Sequence, residues 1–208
     1  MPVAVFPLGA LETNSYLMYD KNEAVAVDVG GEPDEMLDWL AGHKVRLAAI
    51  CATHLHFDHL YGVAALTNAT GAPVYTPPGD DALSGTEAGM GGIWGFPPVP
   101  FFESKAMPLG KHAFAGMDCE VLETPGHTPG GVSLYFPAQQ IVFTGDALFY
   151  RSIGHTVFPL GNHATLLRSI HEKLFALPEN TKVFPGHGPS TTIGDEIKNN
   201  PFCGKFVQ

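Results

Sequence analysis

Positive charge is scarce in this sequence. Its 208 residues carry 11 Lys and Arg against 21 Asp and Glu, a formal charge of -10, and such a surface repels a phosphate backbone. Nucleic acid is therefore not expected as a partner. Cysteine is scarcer still: Cys51, Cys119 and Cys203 contain no Cys-x-x-Cys pair, and an odd count does not make a disulfide framework. The expectation is a reducing, cytoplasmic setting. Long apolar runs are missing too, since none approaches the roughly 18 residues that a spanning helix needs. The N-terminus meets Pro7 early and has no basic start, so neither a secretion signal nor a membrane partner is expected.

What the chain has in quantity is histidine (10), glycine (24) and proline (18), within a composition that is 45% hydrophobic and 15% charged. That is a globular composition. Strands are predicted over Val3-Phe6, Ser15-Tyr19, Ala24-Val29, Arg46-Ala52 and Val74-Tyr75, and again over Glu120-Glu123, Val132-Phe136, Gln140-Thr144 and Lys182-Pro185. Helical spacing places helices at Asp34-Leu40, Gly62-Leu66, Ala164-Ala176 and Ile193-Lys198. The segment 76–108 is irregular yet rich in bulky apolar residues, among them Met90, Ile93, Trp94, Phe96, Phe101 and Phe102. Its part at 84–102 suits either core packing or contact with an acyl chain. Apolar strands need cover on both faces, so the order of elements points to an α/β fold in which two sheets pack face to face with helices outside. No linker divides it, and one domain over 1–208 is expected.

The segment Thr53-His54-Leu55-His56-Phe57-Asp58-His59 follows a predicted strand and holds three imidazoles and a carboxylate within six residues. On an extended backbone His54 and His56 share a side, with Asp58 and His59 around the turn. Neutral imidazole and carboxylate are the donors that a dication prefers. Three further fragments set a potential ligand in a glycine-bearing turn after a strand: Thr124-Pro125-Gly126-His127, Thr144-Gly145-Asp146 and Pro185-Gly186-His187-Gly188.

This ordered set resembles the metallo-β-lactamase-fold superfamily and, within it, the glyoxalase II-like hydrolases of the short bacterial hydroxyacylglutathione hydrolase type. The resemblance runs over nearly the whole chain and implies a four-layer αββα sandwich. It implies two divalent ions, zinc in the first instance with iron or manganese also compatible. One would be held by His54, His56 and His127, the other by Asp58, His59 and His187, with Asp146 bridging. The activity implied is hydrolysis of a small-molecule thioester such as an S-acylglutathione, with a hydroxide shared by the ions as nucleophile and Asp58 orienting it. Where similar hydrolases carry a Gly, a basic residue and, two positions on, an acidic one, this chain reads Gly154-His155-Thr156-Val157.

Two alternatives use the same residues. A lactone also opens through a tetrahedral oxyanion. A persulfide dioxygenase would hold a single iron by two His and one Asp, for which His54, His127 and Asp146 serve. His155, Tyr150 and Arg151, just past Asp146, are the candidate substrate contacts. His43, His112, His163 and His171 are read as surface or hydrogen-bonded residues, and Cys51 as buried in its strand.

Overall fold

Strand-forming runs separated by tight turns build the first half of the chain. The computed structural model describes residues 2–93 and 95–204; Trp94 lies outside them. Six strands make the first sheet in the order of the chain: β1 (Val3–Leu8), β2 (Thr13–Asp20), β3 (Glu23–Val27), β4 (Arg46–Cys51), β5 (Val74–Thr76) and β6 (Lys105–Ala106). The first three form an antiparallel meander, and from β3 onward the pairs are parallel. Parallel pairs need crossovers, and helices α1 (Asp34–His43) and α2 (Val63–Thr70) supply two of them. Asp34 and Glu35 in the first turn of α1 complement its dipole, and Lys44 ends it in the left-handed region with φ 56°. Met36 and Leu40 of α1 and Val63 and Leu66 of α2 pack with Leu17, Ala26 and Ile50 of the sheet.

The irregular stretch has a short helix of its own, α3 (Glu87–Met90). It contributes chiefly to packing: Leu83 and Val99 join the first core, and Phe96 and Phe102 lie against it. Phe101 is 85% exposed. Tyr61 donates to the Pro97 carbonyl at 2.8 Å, and burial together with the Asp58 carboxylate pushes its phenol up, keeping it a donor.

The second half forms β7 (Gly110–Phe114), β8 (Met117–Glu123), β9 (Val132–Phe136) and β10 (Ile141–Gly145), then a small hairpin of β11 (Leu148–Phe149) and β12 (Ser152–Ile153), then β13 (Lys182–Pro185) and β14 (Thr191–Thr192). The second sheet has the order β14-β13-β10-β9-β8-β7. Strand β7 escaped the sequence reading because Gly110 to Ala113 are exposed and polar or small, with no apolar alternation. Its turn to β8 puts Ala115 and Gly116 at φ 51° and 70°, the positive pair that a two-residue hairpin favours.

Helix α4 (His163–Ser169) is shorter than the sequence predicts, because the chain continues through a wider π-type turn over Ile170–Leu174. That change of pitch places Leu166, Ile170 and Leu174 together in a second core with Val142 and Val183. Helix α5 (Ile193–Asn199) adds Ile193 and Ile197. Contacts divide the chain into two compact units, Met1–Met107 with Ala113–Met117, and Pro108–His112 with Asp118–Gln208.

Cys51, Cys119 and Cys203 are all buried, and burial pushes the Cys119 and Cys203 thiols up to about 12. No thiol of the folded protein is expected to react with an aromatic disulfide reagent at mildly alkaline pH, whereas all three should react after unfolding in guanidinium. A fast-reacting thiol in the native protein would contradict this. No helix among the described residues is long and apolar enough to cross a membrane.

Candidate metal centre

In the first unit, β4 ends at Cys51 and the chain turns through Thr53 to His59. His56 is extended at φ -81° and ψ 143°, and Phe57–His59 then make one tight turn. The extended part sets the rings of His54 and His56 edge to face at 4.8 Å. The turn folds His59 back until its ring lies 4.1 Å from that of His54. All three histidines are buried, and Asp58 lies beside them with its Oδ2 3.6 Å from His59 Nε2.

A residue that sequence reading missed organises this group. Asp28 follows β3 at φ 54° and is 1% exposed. Its carboxylate accepts from the Thr53 backbone N–H (2.7 Å), from Thr53 Oγ1 (2.8 Å) and from His59 Nδ1 (2.9 Å). Because the Thr53 hydroxyl proton goes to Asp28, Thr53 Oγ1 accepts from His54 Nδ1, 3.0 Å away. Both imidazoles are thereby fixed as the tautomer with its lone pair on Nε2, the form that ligates. Two further bonds steady the segment: Asp80 Oδ2 accepts from the Leu55 N–H at 3.0 Å, and Asp58 Oδ2 from Thr13 Oγ1 at 3.1 Å. The available signal for Asp28 was a carboxylate directly after an apolar strand and before Gly30-Gly31. Nothing local linked it to His59, thirty-one residues on.

In the second unit, His127, Asp146 and His187 follow β8, β10 and β13. Gly126 has φ 132°, and a Cβ there would stand 2.3 Å from the Leu166 backbone nitrogen, so this turn requires glycine. His127 Nδ1 donates to the His155 carbonyl at 2.6 Å. A carbonyl only accepts, so this imidazole too carries its lone pair on Nε2. The Nε2 atoms of His127 and His187 face the same carboxylate oxygen, Asp146 Oδ2, at 3.5 and 3.7 Å.

These separations, like that of Asp58 and His59, exceed good hydrogen-bond lengths. Two donors each about 2.1 Å from one tetrahedral ion stand about 3.4 Å apart, the spacing seen. The residues thus fit divalent metal in donor type and spacing, and His54, His59 and His127 in tautomer as well.

The expected substrate contacts lie beyond Asp146. His155 is exposed, and it is its backbone carbonyl that holds His127. Tyr150 is 46% exposed and lies under the Arg151 guanidinium, 4.7 Å from it. Arg151 faces α5, with Nη2 2.9 Å from Asp195 and Nη1 2.7 Å from Glu196. Of the other histidines, His43 stacks on Trp39 and His171 packs against Phe175.

A model of the metallo-beta-lactamase superfamily matches residues 8–187, a span that takes in both units. The chain is 32% identical over 211 residues to the hydroxyacylglutathione hydrolase GloC of Haemophilus influenzae, covering 97% of this chain and 98% of that protein. The crystal structure of BLEG-1 B3 metallo-beta-lactamase matches with a TM-score of 0.91 and 36% identity, over 97% of this chain and 99% of that one. That of TTHA1623 in a di-iron-bound form matches with a TM-score of 0.86 and 37% identity, over 96% and 99%. The chain therefore belongs to the metallo-beta-lactamase superfamily, has its fold, and is a metal-dependent hydrolase of that family.

Proposed function

We propose that this hydrolase cleaves a small-molecule thioester of the S-acylglutathione kind at a pair of divalent ions, zinc in the first instance, and does so in the cytoplasm as one domain. His54, His56 and His127 would hold one ion, and Asp58, His59 and His187 the other, with Asp146 shared. The observation that carries the binuclear reading is Asp146 Oδ2, one oxygen faced by two imidazoles 3.5 and 3.7 Å away. Likeness to a hydroxyacylglutathione hydrolase supports the thioester.

Bound there, such ions supply a water acidic enough to be a nucleophile near neutral pH and a Lewis acid for the carbonyl. The protein's own part is positioning. Asp28 and Thr53 keep His54 and His59 oriented, and the His155 carbonyl does the same for His127. Asp58, 13% exposed and held by Thr13, would accept a hydrogen bond from the attacking water and so align it. No cysteine competes as nucleophile, since all three thiols are buried. A thiol with an ordinary pKa near 8.5 leaves readily as thiolate, so the leaving group needs little assistance.

The test is a substrate panel: S-acylglutathiones, other acyl thioesters and N-acyl lactones on zinc-loaded protein, and a persulfide on iron(II)-loaded protein with oxygen uptake recorded. The expected result is a kcat/KM for one or more thioesters exceeding that for every lactone, with no oxygen uptake. Lactone opening without thioester cleavage, or oxygen uptake with the persulfide, would overturn the reading.

A further inference from the structure

The chain between Asp146 and His155 links one ligand position of the second unit to the carbonyl that orients another, His127. It leaves Asp146, runs out along β11, turns at Tyr150-Arg151, and returns along β12 to Gly154 and His155. At its base Gly154 lies against Asp146 so closely that a Cβ would stand 1.8 Å from the Asp146 carbonyl oxygen. One residue later, the His155 carbonyl accepts from His127 Nδ1. Whatever fixes this hairpin therefore fixes the Asp146 backbone and the acceptor that orients His127 together.

The hairpin's tip is unfavourable by itself, because Arg151 sits at φ 55°, a region that side chains other than glycine rarely occupy. Asp195 takes the Arg151 Nη2, while the Arg151 backbone N–H and Nη1 are both held by one buried carboxylate. Glu196, in the first turn of α5, is 0% exposed. Its Oε2 accepts from the Arg151 backbone N–H at 2.9 Å and from Asn200 Nδ2 at 2.8 Å. Its Oε1 accepts from Arg151 Nη1 at 2.7 Å and from Thr191 Oγ1 at 2.6 Å. Asn200 Nδ2 also donates to the Ser152 carbonyl at 3.0 Å, gripping the return strand. Four donors on one buried carboxylate, two of them from the turn residue itself, make a rigid clamp. A buried charge held this way resists movement, since losing a donor would leave it short of compensation.

We propose that Glu196 is a positioning residue for Asp146 and His127, acting through this hairpin although it touches neither. The inference rests on the binuclear site proposed above. It gives the end of the chain a task in metal binding: α5 and Asn200 keep the hairpin tip in place.

Glu196→Gln tests this, because an amide keeps the shape but presents an NH2 to groups that are themselves donors. Zinc affinity is measured by competition with a chromophoric chelator, and unfolding midpoints are recorded for apo and zinc-loaded protein. The zinc dissociation constant should rise about 10–100-fold, the range for outer partners of metal ligands. The metal-induced rise in midpoint should shrink accordingly, and the visible bands of the cobalt-substituted protein should shift. Apo and loaded midpoints falling together with zinc affinity unchanged would overturn the proposal and leave Glu196 a purely structural residue. If Glu196→Gln yields no folded protein, Asn200→Ala, which removes one donor and the grip on Ser152, should weaken zinc binding in the same sense; unchanged affinity there overturns the proposal. Wild-type protein that binds no zinc would instead overturn the metal-centre reading itself.

Discussion

Asp28→Ala is expected to lower the unfolding free energy by about 3 kcal/mol or more, since three buried donors lose their acceptor at about 1–3 kcal/mol each before relaxation. The affected groups are the Thr53 N–H, the Thr53 hydroxyl and His59 Nδ1. Metal affinity should fall as well, by about 10–100-fold, because the imidazoles of His54 and His59 lose the chain of bonds that sets their tautomer. Asp28→Asn separates the two effects. The amide can still accept one of these bonds, but its NH2 must face a donor, so tautomer control suffers more than packing. Urea unfolding and chelator competition on both variants provide the check. Full metal affinity in Asp28→Ala would mean that His54 and His59 are oriented by something other than Asp28.

Gly154→Ala is the second substitution with a large expected effect. Its methyl group would have to occupy space 1.8 Å from the Asp146 carbonyl oxygen and 3.2 Å from His127 Nδ1. Neither neighbour is a flexible side-chain end, so the backbone of the hairpin or of Asp146 must move. Overpacking of this kind costs about 1–3 kcal/mol and more where backbone is displaced. For a chain of this length that lowers the unfolding midpoint by about 2–4 °C per kcal/mol. Hydrolytic activity should fall further than stability does, because the displaced atoms are those that aim two ligands. Gly42→Ala makes the contrasting control: nothing lies within 4 Å of a Cβ there, and the residue is inside α1. It should stabilise by about 0.5–1 kcal/mol. Equal losses of activity in the two variants would refute the role given to Gly154.

The metal motif was legible in the sequence because its information is local. His54, His56, Asp58 and His59 sit within six residues, and the separate fragments around His127, Asp146 and His187 share a strand, glycine and ligand order. The apolar strands and α1 were legible for the same reason: period and punctuation are local properties. What was not legible depends on distant partners. Asp28 matters because the fold brings it to Thr53 and His59, and Glu196 because it meets Arg151, forty-five residues away. Arg151 itself reads as an available cation beside Asp146, yet its guanidinium faces Asp195 and Glu196. Strand β7 lacked apolar alternation, and the π-type turn after α4 follows from core packing around Ile170 and Leu174 rather than from residue spacing.

The binuclear centre is tested most directly by elemental analysis of metal bound per folded chain, on wild-type protein and on Asp146→Ala after equal loading and desalting. Two divalent ions per wild-type chain are expected, with at most one retained by Asp146→Ala, since in the proposed centre that carboxylate serves both ions. One ion per wild-type chain, or two retained without Asp146, would contradict the proposed centre.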